Sequence, residues 1–153
     1  MPTLLRFQTA LRPFVPFILR LGLGFVFLWS GLSKFGVDGN ALGVCTNRVE
    51  AVGVLATYAW LPFDPEIFVT VQSVGEIILG LMMVVGFWVE LATGVSFLLY
   101  LLFFFLLDFS LIWKNVGLTV ATLALLGSEP DRFRLDSWLA AAYKTRSGGN
   151  GLV

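Results

Sequence analysis

The chain has 153 residues, 58% hydrophobic and 13% charged, with a mean hydropathy of +0.88; that leaves too little polar surface for a soluble domain and points to an integral membrane protein. Ten basic and ten acidic side chains cancel, which removes any overall attraction to nucleic acid or to an acidic substrate. With no histidine and a single cysteine, Cys45, the chain by itself cannot form a histidine-ligated haem, a disulfide, a CxxC pair or a thiolate-held cluster.

A membrane-crossing helix needs about 20 predominantly apolar residues. The first candidate is residues 14–34, where Arg20 is a charge inside an otherwise apolar run. The second, 67–88, is interrupted by Glu76, and the third, 91–113, carries Asp108 near its end. The fourth, 115–128, is short for a crossing and reaches membrane length only with little tilt and polar flanks. Between the first two spans, residues 49–65 are apolar but too short to cross. They read as a short helix on the extra-cytoplasmic face.

Basic residues give the orientation. Arg6 and Arg12 precede the first span, and Arg132, Arg134, Lys144 and Arg146 follow the fourth. The positive-inside rule then places both termini in the cytoplasm, which requires an even number of crossings. Trp88 and Trp113 fall at span ends, where interfacial indoles are expected. The fold expected is an all-α integral membrane protein: a four-transmembrane-helix antiparallel bundle forming one domain over 1–139. Residues 140–153 have the composition of a flexible cytoplasmic tail.

The glycines of the first span do not bind a dinucleotide, because Gly22 and Gly24 lie in a helix-forming run with Phe27 where a third glycine belongs. Arg20, Gly24, Phe27, Gly31 and Lys34 instead recur at spacings of four, three, four and three, a single helical stripe. Small residues on such a stripe allow close backbone approach, so Gly24, Gly31, Gly80, Gly117 and Ala121 are the expected packing positions.

An unpaired charge within the hydrocarbon core costs at least about 2.5 kcal/mol. Gln72, Ser73 and Glu76 share a polar face of the second span, so Arg20, Glu76, Gln72 and Ser73 form a candidate intramembrane network. Arg20 either couples to Glu76 or extends along its own helix to the cytoplasmic headgroups. Near the outer face, Asp108 has Lys34 or Lys114 as a partner. Such groups either hold helices in register or mark a quinone, substrate or proton site; Tyr100, with Thr93 and Ser96, is a further polar candidate beside them.

Three stretches carry a family resemblance: "LRLGLGFVFLWSGLSKF" (19–35), "LPFDP" before "VGEIILGLMMVVG" (74–86), and "KNVGLTVATLALLGSEPDRFRLDSWL" (114–139). In this order they resemble the DoxX-like family of small four-helix bacterial membrane proteins, with Arg20, Gly24, Gly31, Lys34, Glu76, Gly80, Asn115 and Asp136 at matching positions. The resemblance implies a multi-pass protein of the bacterial inner membrane. Relatives of that kind are named as membrane subunits of thiosulfate:quinone oxidoreductases or as parts of other redox assemblies.

Two functions follow as expectations. The first is a non-catalytic accessory subunit that packs, within the lipid bilayer, against other membrane subunits of a respiratory or photosynthetic electron-transfer complex. The alternative is the membrane subunit of a quinone-linked oxidoreductase with a quinone site near Glu76. No intrinsic cofactor and no metal site are expected; a bound quinone or lipid is the remaining ligand.

Overall fold

A computed structural model describes residues 11–36, 47–58, 62–106 and 109–148, with side-chain environments omitted at 103–115 and from 145 onward. The described residues form six α-helices and no strand. After a 3₁₀ turn at Arg12–Phe14 come α1 (Val15–Ser33), α2 (Arg48–Ala56), α3 (Pro65–Val85), α4 (Val89–Leu106), α5 (Phe109–Leu126) and α6 (Leu135–Gly148). The chain divides into two compact units, Met1–Leu23 with Met82–Val153, and Gly24–Leu81.

Local signals explain the helix starts. Asn47 accepts the Glu50 amide at 2.9 Å and caps α2. Asp64 accepts the Glu66 amide at 2.8 Å ahead of Pro65, whose fixed φ and missing N–H suit the first helical position. The α1 run covers Arg12–Ser33 with its preceding turn, and both it and α3 are long and apolar enough to cross a membrane; Val89–Leu102 and Val116–Leu126 are shorter apolar stretches.

Charged and polar side chains are buried among apolar ones such as Leu23, Phe27, Val69 and Met83, while many large aliphatic side chains are exposed. Arg20, Lys34, Ser73, Glu76, Thr93, Ser96 and Thr122 are buried, whereas Ile18, Ile67, Val71, Ile78, Leu98 and Val120 point outward. Buried Ser73, Thr93 and Ser96 satisfy their hydroxyls on the carbonyl four residues earlier, at 2.5–2.7 Å. An aliphatic outer face, with the charges kept inside, suits a hydrocarbon surrounding.

The last third departs from the sequence reading. The expected third span, 91–113, is divided: α4 ends at Leu106 and α5 begins at Phe109. Hydropathy reads straight through "LLFFFLLDFSLIW", which has neither glycine nor proline to mark a boundary. Trp113 and Lys114 therefore lie within α5 rather than at a span end or in a connection. The stretch expected as a tail from 140 is helical through Gly148, because "WLAAAYK" is rich in good helix formers. The short helix expected within 49–65 is present as Arg48–Ala56.

Candidate functional site

The Arg20 cluster begins with a helix end. Gly86 follows α3 at φ +79°, and the amides of Gly86 and Phe87 both donate to Met82 O at 2.9 Å, a left-handed C-terminal cap. The cap leaves Met83 O and Val84 O without helical partners. Arg20, only 1% exposed, supplies them: its Nη1 donates to Met83 O and, at 2.9 Å, to Val84 O. A cation at these carbonyls also meets the negative end of the helix dipole. A methyl group at Gly86 would approach Arg20 Nη1 to 3.0 Å and Arg134 Cα to 2.8 Å, so glycine is required there for space as well as φ.

Asp131 neutralises this cation. Arg20 donates from Nε to Oδ2 at 3.1 Å and from Nη2 to Oδ1 at 3.4 Å, and Nη2 also reaches Phe133 O at 3.3 Å. Asp131 further accepts the Phe133 amide at 3.0 Å and Arg134 Nε at 3.3 Å, and Arg134 in turn donates to Glu90. Burial works to raise the Asp131 pKa. The Arg20 hydrogen bonds and charge, the Phe133 amide and Arg134 together outweigh it and hold the carboxyl below its usual 3.8. Two cations and two anions leave the cluster neutral, with the Phe17 ring 5.4 Å from the Arg20 guanidinium and 4.8 Å from Phe133.

The second cluster is centred on Glu76. Lys34 Nζ donates to Glu76 Oε2 at 2.5 Å and to Ser30 Oγ at 3.1 Å, while Gln72 Nε2 donates to Oε1 at 2.9 Å. Lys34 and Glu76 are both buried, and each carboxylate oxygen has a donor. Close backbone approach makes this geometry possible. A methyl on Gly31 would meet Ile77 Cγ1 at 2.6 Å and Ser73 O at 2.7 Å; one on Gly80 would meet Leu28 N at 2.5 Å and Gly24 O at 2.8 Å.

The sequence-derived network is thus rearranged. Arg20 and Glu76 do not share one pair: Arg20 has Asp131 and Glu76 has Lys34. Arg20 runs instead to the end of α3, where its guanidinium is enclosed by the carbonyls of Met83 and Val84. Ser73 bonds only to its own helix among its described partners, at Val69 O. Lys34 pairs with Glu76; the expected outer-face pairing with Asp108 lies outside the described residues, as does the Lys114 side chain. Gly117 has nothing within 4 Å of an added methyl and makes no close approach, and Ala121 is half-buried.

Asp131, Arg134 and Glu90 were missed. "SEPDRFR" follows the last apolar run, and its arginines read as orientation signals alone. The available signal was an acid, Asp131, placed just after an apolar run and just before Arg132 and Arg134. Among the described residues no cluster of three or more histidine, cysteine or acidic side chains could hold a metal.

No curated protein and no solved structure matches the chain. A family model described as methylamine utilisation protein MauE matches residues 12–117, more than half of the chain. That match overturns the resemblance to the DoxX-like family: short apolar helices with glycine stripes and isolated charges recur in small membrane proteins of different families. The matched region contains Arg20, Lys34, Glu76 and Glu90 but ends before Asp131 and Arg134. The chain belongs to the MauE family of methylamine utilisation proteins.

Proposed function

We propose that this chain is a multi-span membrane accessory protein of a redox-related pathway, methylamine utilisation or one like it, and is not itself the catalyst. The family match over residues 12–117 carries the reading. The aliphatic surface over buried charges and the two long apolar helices α1 and α3 support a membrane location; in this reading α4 and α5 complete four crossings, and the basic residues keep both termini cytoplasmic. Lack of histidine and of a cysteine pair gives this chain no histidine-ligated haem and no redox thiol pair, which suits electron transfer by partner subunits or a diffusible carrier. The buried charges are fully engaged with one another, which suits a role in fixing helices. A quinone site beside Glu76 loses support with the DoxX resemblance, and both Glu76 oxygens already accept hydrogen bonds.

Gene deletion and complementation in the host, with methylamine supplied, test the role. Deletion should impair methylamine-dependent growth, and K34M/E76L should restore it, because an apolar pair of similar volume can replace a buried ion pair that only holds helices. Growth unaffected by deletion contradicts the pathway. Failure of an equally abundant, folded K34M/E76L protein to restore growth would mean that these charges do chemistry.

A further inference from the structure

Given the membrane-spanning reading above, we propose that α6 is an interfacial helix whose ligand is the anionic phospholipid surface of the membrane that the chain crosses. The helix has 14 residues, Leu135–Gly148, so it is about 21 Å long and too short to cross. It lies beyond the family-matched residues 12–117, so the family match does not account for it.

At 100° per residue, Leu135, Trp138, Leu139, Ala142 and Tyr143 fall within one arc of about 140°, with Ser137, Ala140 and Lys144 opposite. The apolar arc is open: Leu135 is 39% exposed, Trp138 71%, Leu139 52% and Tyr143 77%. Three observations select a bilayer surface as its occupant. First, the Asp136 amide donates to Gly86 O at 3.3 Å, which ties the start of α6 to the turn where apolar α3 ends. Secondly, that turn presents Phe87 and Trp88, exposed and stacked at 5.3 Å, with Trp88 in the left-handed region at φ +47°. Exposed aromatic rings beside a span end belong at headgroup depth. Thirdly, Arg132 and Lys144 are exposed, whereas Arg20 and Arg134 are buried in the ion cluster. Lys144 lies on the polar face opposite the arc and Arg132 precedes the helix, the placement in which basic side chains of an interfacial helix attract anionic headgroups. The resulting helix lies in the interface plane, with Trp138 and Leu139 at the acyl boundary, about 5–10 Å into it.

Spin labels on the full chain in vesicles of phosphatidylglycerol and phosphatidylcholine test this. A C45S background leaves one engineered cysteine per variant: L139C and A142C on the apolar arc, S137C and A140C opposite, and I18C and I78C as references on α1 and α3. Oxygen should relax the labels at 139 and 142 and a nickel chelate those at 137 and 140, with 18 and 78 oxygen-accessible. Replacing phosphatidylglycerol by phosphatidylcholine should move 139 and 142 toward water; equal depth in both vesicles overturns the anionic requirement. Four α6 labels in water, with 18 and 78 in lipid, overturn the interfacial helix alone. Labels at 139 and 142 shielded from both relaxants identify a protein partner instead and also overturn it. Labels at 18 and 78 in water remove the membrane-spanning reading and this proposal with it.

Discussion

Removing the Asp131 carboxylate tests how the Arg20 cluster is held. It accepts hydrogen bonds from Arg20 Nε and Nη2, Arg134 Nε and the Phe133 amide, at 3.0–3.4 Å, and its side chain is fully buried. Asp131→Ala leaves two largely buried guanidinium groups with Glu90 as the one remaining anion of the cluster, and Glu90 is itself mostly exposed. Breaking a buried pair from one side costs about 3–5 kcal/mol. The double variant R20M/D131L removes both charges, so it should recover much of that loss. Recovery is incomplete because Met83 O and Val84 O lose their donor, worth about 1–3 kcal/mol. Reversible unfolding in mixed detergent micelles, followed by tryptophan fluorescence, gives the required free energies for each single and the double variant. A D131A cost below about 1 kcal/mol, the range of exposed pairs, would refute the reasoning.

Two further outcomes follow from the same geometry. Gly31→Val should destabilise by about 1–3 kcal/mol through overpacking against Ile77 and Ser73, while Gly117→Val should stay within about 0.5 kcal/mol because nothing lies nearby; equal thermal stabilities of the two variants would contradict the close approach. The Asp131 pKa is lowered by folding, so its contribution is fully present above the unfolded value near 3.8 and is lost as pH falls through the lower folded value. Unfolding titrations should show a stability drop that begins below about pH 4 and is weaker in D131N; an identical acid slope in that variant argues against the linkage.

The α1 stripe was legible because a helix repeats every 3.6 residues: Arg20, Gly24, Phe27, Gly31 and Lys34 are all buried. The helix ends at Asp64–Pro65 carried equally local signals. The partner choices were not legible. Arg20 and Asp131 are 111 positions apart, and nothing local joins them. Helical spacing offered Glu76 or the headgroups for Arg20, because it says nothing about which carbonyls a helix end leaves open. Gly86 was the missed clue: a glycine after an apolar run marks a helix end whose carbonyls need donors, and Arg20 is a buried cation in need of acceptors. The α4–α5 boundary failed for a different reason, since a run of leucine and phenylalanine shows no change of hydropathy from one helix to the next.

Purification of the chain from native membranes in mild detergent, with mass spectrometry and an absorption spectrum of the same sample, tests the accessory role most directly. The account predicts a stoichiometric partner that carries the redox centre, while the isolated chain neither oxidises amine nor passes electrons to an acceptor. A lone protein that turns over methylamine, or that reduces an acceptor without any partner, would contradict it.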